Sequence, residues 1–388
     1  MNLRFFSYMK HALMVSAMLA IVGISGCDDE DGPTVFNGTI MDLIKSDQYK
    51  QSVNGDDTKS LDSLVKYLEY HDLDVVVAGT GPITLFAPNN AAFKSLIATP
   101  GFPADIRKID PNIVKGVLSY HVVADEVKKS EIASGASFST AFTGTANNPN
   151  DKINVNSDGT LLTGSTNQAI VITESDKLAT NGVVHVTGTV LIPQSVGASL
   201  TPILGTLAGS VFLGADFTTL VKMINKADAG VAAADQIRTL LATPAATETS
   251  SNLRRTFFAI PNAYFSAAAQ AQGITVDQLL ASFSATASRA ILLNHFVTTN
   301  TANRNTYTVS DIAGSGDVQF TTGMQLTSNG GKVLTMVTGQ TVSAQNPYGV
   351  VITAPKAAGG VSQVPIAVKD ITHANGSVLH AVLGFIVP

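Results

Sequence analysis

T-L-F-A-P-N-N-A-A-F, Thr84 to Phe93, and T-F-F-A-I-P-N-A-Y-F, Thr256 to Phe265, decide the fold because they are nearly one sequence written twice. Thr84, Phe86, Ala87, Asn90, Ala91 and Phe93 recur at the same spacing as Thr256, Phe258, Ala259, Asn262, Ala263 and Phe265. Such self-similarity predicts one structural unit used twice. Within the first decapeptide, Thr84 to Phe86 read as a strand that Pro88 ends. Asn89 or Asn90 then caps a short helix whose Phe93 points inward.

Further landmarks follow each decapeptide in the same order. L-S-Y-H-V-V, Leu118 to Val123, is answered by L-L-N-H-F-V, Leu292 to Val297. V-N-S-D-G-T-L-L, Val155 to Leu162, is answered by L-T-S-N-G-G-K-V-L, Leu326 to Leu334, each a polar turn between apolar runs. The units close with N-G-V-V-H-V-T-G-T-V-L-I-P, Asn181 to Pro193, and N-G-S-V-L-H-A-V-L-G-F-I-V-P, Asn375 to Pro388. The second closing segment has one extra residue. Because His185 and His380 both stand eight residues before the closing proline, the extra residue belongs to the turn and the strand register is kept.

An F-A-P-x-N-x-A-F segment, a Y-H-V segment and a closing N-G-V-x-H-V, in this order, resemble the fasciclin domain. The resemblance runs from about Asn37 to Pro388 and implies two tandem copies, an α+β fold in which each copy is a wedge-shaped β-sandwich with flanking α-helices. The first copy is assigned to 37–194 and the second to 199–388. The second departs from the pattern at Ile260 and Pro261 and has Asn294 where the first has Tyr120.

Hydrophobic residues make up 45% of the 388 and charged residues 14%, enough for two cores of ordinary size. The net charge of −5 and the lack of any basic run remove nucleic acid as a partner. Arg4 and Lys10 precede an apolar segment, Ala12 to Ile24, that is too short to span a bilayer and has the layout of an export signal. It leads into I-S-G-C, which resembles the lipid-attachment site of bacterial lipoproteins. This predicts cleavage after residue 26, acylation of Cys27 and membrane attachment through that lipid. Asp28, Asp29, Glu30 and Asp31 open an acidic tether, 27–36, that reads either as a solvated spacer or as a surface-export signal. The expected location is the outer membrane, exposed at the surface, with a periplasm-facing arrangement as the other possibility. As Cys27 is the only cysteine, no disulfide supports the fold.

Leu61, Leu64, Val65 and Leu68, spaced three and four apart, predict an amphipathic helix within Asp57 to Tyr70. Ile113, Val114, Val117, Leu118 and His121 share a second helical face before Val122 and Val123 enter a strand. Ile153 to Val155, Thr160 to Leu162, Ala169 to Thr173 and Val183 to Ile192 read as strands. The boundary between copies is expected as a short linker at Ser195 to Ser199. A-P-K-A-A-G-G-V-S-Q-V-P, Ala354 to Pro365, is expected as an exposed loop insertion in the second copy.

No G-x-S-x-G, H-E-x-x-H, C-x-x-C or G-x-x-x-x-G-K-[ST] motif occurs, and Gly314 and Gly316 begin a glycine pattern that Gln319 does not complete. No catalytic residue, cofactor or metal is assigned. Asn154, Asn156, Asp158 and Gly159 imitate the start of a calcium loop, but Ser165 stands where a bidentate glutamate belongs, so a hairpin turn is expected. The family resemblance makes Tyr120 and His121, and by position Asn294 and His295, the candidate interaction residues. The competing reading of each histidine, and of His185 and His380, is a side chain that satisfies backbone groups inside the domain. The leading expectation of function is a non-enzymatic adhesion lipoprotein that binds extracellular protein or matrix partners. The alternative is a glycan-binding accessory of an outer-membrane uptake system, with Tyr307 and Tyr348 as stacking platforms. A hydrolase with scattered Ser, His and carboxylate groups is the third class.

Overall fold

Each copy is closed by pairing its first strand in parallel with its last. The computed structural model describes residues 34–142, 151–157, 161–162, 169–242, 255–297, 325–356, 360–372 and 377–387. In the first copy the strands are β1 (Ile83–Pro88), β2 (Val122–Val123), β3 (Ser137–Phe138), β4 (Ile153–Val155), β5 (Leu161–Leu162), β6 (Ile172–Ala179) and β7 (Gly182–Thr187). One sheet has the order β2-β1-β7-β6 and a second has β3-β4-β5. The repeat motifs occupy its centre, with Phe86 opposite His185 in the parallel β1–β7 pair.

The second copy has β8 (Thr256–Ala259), β9 (Phe296–Val297), β10 (Gln325–Thr327), β11 (Val333–Val337), β12 (Val351–Pro355), β13 (Val361–Thr372) and β14 (Val378–Val382). Phe258 lies opposite His380 in the parallel β8–β14 pair, so the extra residue before β14 leaves the register intact. Here one seven-stranded sheet runs β10-β11-β12-β13-β14-β8-β9, since the long β13 joins what the first copy keeps apart. The second polar cluster is a turn as expected, with Leu326 paired to Leu334; in the first, Val155 pairs with Leu161, and 158–160 lie outside the described residues.

The first-copy helices are α1 (Ile40–Ile44), α2 (Gln51–Asn54), α3 (Asp62–Tyr70), α4 (Asp74–Val77), α5 (Asn90–Ile97) and α6 (Pro111–Ser119). Asn89 caps α5, its Oδ1 accepting from the Ala92 N–H at 2.9 Å. Helix α3 starts five residues later than the earliest expected position, because Asp57 to Lys59 form a turn. Its buried face is Leu64, Tyr67 and Leu68. Helix α7 (Gln194–Leu200) precedes α8 (Leu207–Leu213), α9 (Thr218–Asp228), α10 (Ile237–Ala242), α11 (Asn262–Ala271), α12 (Val276–Ser282) and α13 (Ala285–Asn294). In the second copy Pro261 occupies the cap position of α11 and supplies no side-chain bond. Phe86, Phe93, Phe258 and Phe265 are all buried, at about 2 to 3 kcal/mol of transfer free energy each.

Two expectations are corrected. The linker at Ser195 to Ser199 is helical, lying within α7. Asp151 binds the Ser195 N–H at 3.0 Å and its hydroxyl at 2.6 Å, satisfying a donor that the first helical turn leaves open. The stretch Ala354 to Pro365 is mostly a β-hairpin: Val351 to Pro355 pair with Pro365 to Val361. Its alternation explains this, because Ile352, Ala354, Ser362 and Val364 are buried while Pro355, Val361 and Gln363 face outward.

The copies share one contact unit, Val35–Pro388. The Asp110 N–H donates to the Leu213 carbonyl at 2.7 Å across their junction. Gly101, at φ +79°, comes so near Gly205 that a Cβ there would lie 2.1 Å from the Gly205 nitrogen, so no side chain fits.

Candidate interaction surface

His121 and His295 follow the last turns of α6 and α13, and both are fully buried. His121 donates from Nδ1 to the Val117 carbonyl at 2.8 Å and accepts the Leu191 N–H at Nε2 at 2.9 Å. His295 donates from Nδ1 to the Phe258 carbonyl at 2.6 Å and accepts the Ile386 N–H at 2.9 Å. Each ring therefore needs one protonated and one bare nitrogen, which is the neutral imidazole. Burial pushes both down to about 4, against the weaker raising effect of the carbonyl bond.

Their neighbours are interior too. Tyr120 is buried and its hydroxyl donates to the Lys152 carbonyl at 2.8 Å, tying α6 to the β3-β4-β5 sheet. Asn294, equally buried, donates from Nδ2 to the Ile386 carbonyl at 3.2 Å and accepts the Ser328 hydroxyl at 3.3 Å, which holds the β10–β11 turn. The expectation that Tyr120, His121, Asn294 and His295 meet a partner directly is thus corrected. Their polar atoms are spent on the interior, and none of the four is exposed. His185 has the same kind of role. Its Nε2 donates to the Val127 carbonyl at 2.8 Å, its ring packs on Phe86 at 5.4 Å, and burial holds it below the usual histidine range. His380 packs on Phe258 at 5.6 Å in the equivalent place.

What the His121 node does position is the surface beside it. Leu118, Ser119 and Val122, flanking Tyr120 and His121 on both sides, line a hollow of about 200 Å³ with Leu73, Val76 and Ala141. Helix α4 forms its rim, leaving Val75 67% and Val76 47% exposed, and Tyr70 at the end of α3 is 57% exposed. The turn between these helices is fixed by Asp72 at φ +56°. Beneath it His71 is buried, its pKa lowered first by burial and then by Lys115, and among the described residues its Nε2 has no hydrogen-bond partner. Little in the sequence marks this patch as a surface, because a run such as Asp74-Val-Val-Val suits a buried element equally well. The only signal was a β-branched run placed directly after a helix end.

Ser195 and Asp151 are bonded, but His121, His185 and His295 bond backbone groups, so this pair caps α7 rather than joining a triad. Among the described residues no group of three or more His, Cys, Asp or Glu side chains is placed to hold a metal. Asn154 accepts the Ser137 hydroxyl at 2.9 Å on β4; Asp158, Gly159 and Ser165 lie outside the described residues. Tyr348 packs partly buried against the second core, which leaves less of its ring as a sugar platform. Tyr307, Cys27 and the export segment lie outside the described residues, and among those described no helix is long and apolar enough to cross a membrane.

Comparison with known proteins supplies the family. The fasciclin domain model matches residues 59–193. Protein sll1483 of Synechocystis sp. is 32% identical over 136 residues, covering 35% of this chain and 68% of that protein. Transforming growth factor-beta-induced protein ig-h3 of Sus scrofa is 32% identical over 126 residues, 32% of this chain but only 16% of the relative's length. A solved FAS1 domain pair from the insect cell adhesion molecule fasciclin I aligns with 84% of this chain and 97% of its own, at 15% identity and a TM-score of 0.30. The chain belongs to the fasciclin-domain family.

Proposed function

We propose that this is a non-enzymatic adhesion lipoprotein, held to the outer membrane by acylated Cys27 and binding an extracellular protein or matrix partner. The observation that carries the contact site is the exposed Val75–Val76 edge of α4 beside the hollow next to Tyr120 and His121. Exposed apolar side chains clustered at a concave site are more informative than single surface valines. Family membership supports the adhesive class, as an inference from fold to function. The I-S-G-C segment supports the anchor, and the acidic residues behind it support surface display.

The test is attachment of cells displaying the protein to matrix-coated surfaces, comparing the parent with Val75→Ser/Val76→Ser. Both side chains are exposed, so the variant keeps its fold, and attachment drops about tenfold. Unchanged attachment by a folded, equally displayed variant would reject the contact site. Cys27→Ser releases the protein from the membrane fraction, and protease shaving of intact cells removes it from the parent; persistence in either experiment contradicts the anchored, outward-facing arrangement.

A further inference from the structure

The register makes the two copies comparable residue by residue, and one position is filled in the first and open in the second. Both β6 and β13 carry irregularities at equivalent rungs: Ile172, Glu174 and Lys177 against β7, and Ile366, Val368 and Ile371 against β14. Val186, opposite Glu174, corresponds to Ala381, opposite Val368. On the helical side Asn90 accepts the Ser63 N–H and Asn262 accepts the Thr219 N–H, which makes Leu61 the counterpart of Phe217.

In the first copy Lys45 to Leu61 separate α1 from α3, and this segment seats Tyr49 over the bulged strand. Tyr49 is buried, and its hydroxyl donates to Glu174 Oε2 at 3.3 Å. Its carbonyl accepts the Leu61 N–H at 2.9 Å. In the second copy only Gly214 to Phe217 separate α8 from α9, so nothing corresponds to Tyr49. The equivalent space is a cleft of about 520 Å³ floored by Phe217, Val368, Ile371 and Ala381, with Phe102 and Pro103 of the first copy as the facing wall. That volume falls in the range of about 300 to 1,000 Å³ typical of ligand sites, which favour domain junctions. The walls also carry opposite charges. Lys108 stands on the first copy's side and Asp216 on the second's, both exposed, and among the described residues neither forms an ion pair.

We infer that this cleft binds a tyrosine-bearing peptide segment of a partner protein, with an acidic residue ahead of the tyrosine and a basic one behind it. The tyrosine ring fills the apolar floor in the place Tyr49 takes in the first copy, with its hydroxyl at the open side of the cleft because Val368 stands where Glu174 accepts it there. The acid meets Lys108 and the base meets Asp216. The chain's own Asp47-Gln48-Tyr49-Lys50 is an example of such a sequence. This site is separate from the α4 patch, so either can fail without the other.

The probe is a labelled synthetic peptide with the sequence Ser46 to Asn54, titrated by fluorescence polarisation with the chain from residue 28 to 388. Saturable binding below about 1 mM is expected. Replacing Tyr49 by alanine in the peptide weakens it at least about tenfold, as removal of a central aromatic anchor does. Val368→Trp in the protein, at a position already 44% exposed, fills the cleft and abolishes binding. Asp216→Lys, at an exposed position, weakens binding about fivefold and keeps the inference testable if Val368→Trp misfolds. No binding at about 1 mM, or binding indifferent to the peptide's tyrosine or to Asp216→Lys, would overturn it.

Discussion

The first copy places a tyrosine beside its buried histidine, and the second places an asparagine. Tyr120 reaches outward to the Lys152 carbonyl of a separate three-stranded sheet, whereas Asn294 stays close and holds the β10–β11 turn. The histidines share one bond, His121 and His295 each accepting the N–H of a residue beyond the last strand, Leu191 or Ile386, while Nδ1 donates to Val117 of its own helix in the first copy and to Phe258 of β8 in the second. The difference teaches which part belongs to the module and which to its surroundings. The histidine joins the helix end to the segment that closes the copy, while its neighbour adapts to the sheet it meets.

Matched substitutions break or sharpen this comparison. The largest effect is expected from His121→Ala and His295→Ala, each leaving the buried N–H of Leu191 or Ile386 without its acceptor and a hole in the core. About 3 to 4 kcal/mol of stability is lost in the copy concerned, read by urea unfolding and by hydrogen exchange at Leu191 and Ile386. Exchange at both sites no faster than in the parent would show that the histidines do not close the copies.

Acid tests the same pair without mutation. In the unfolded chain each imidazole titrates near 6.5, and in the folded chain at about 4, because burial opposes its charge. The unfolded state therefore binds more protons between these values. The stability contribution is complete above pH 6.5 and is lost as pH falls toward 4, by roughly 3 kcal/mol for each histidine. Unfolding midpoints measured from pH 7 to 4.5 should fall, and less steeply in His121→Gln; a flat profile contradicts buried neutral rings.

A smaller effect is expected at the shared asparagine. Asn90→Ala and Asn262→Ala each remove the acceptor for the first turn of α3 or α9, at about 1 to 2 kcal/mol, and unequal costs would locate a difference between the copies' helical halves. Smallest is Tyr120→Phe, which deletes the hydroxyl's bond to Lys152 and costs about 1 kcal/mol by thermal unfolding. A cost near that of His121→Ala would make the tyrosine as central as the histidine.

The repeated motifs made much of this architecture legible. Counting back from Pro193 and Pro388 put His185 and His380 in register, and the parallel ladders agree. Phe93 and the Asn89 cap were readable because one side chain and its spacing decide them. The Ala354–Pro365 hairpin was obscured by its prolines and glycines, which read as loop. Its strand character comes from partners distant in sequence, as β-structure often does. The buried candidates failed for a related reason: a motif repeated in two copies marks what the fold requires, and an interior bond satisfies that requirement as fully as a surface contact. The α4 edge was missed because burial of Asp74-Val-Val-Val depends on whether a neighbouring element covers it.

The parallel arrangement of β1 and β7 has a mechanical consequence. β7 leads toward α7 and the second copy, so tension along that route draws the strand lengthwise against β1, and the six rungs from Ile83–Gly182 to Pro88–Thr187 resist in shear together. Peeling would instead present them one by one. Stretching single molecules from residue 35 to residue 194 should give one abrupt rupture for the first copy, and a gradual extension would contradict this shared resistance.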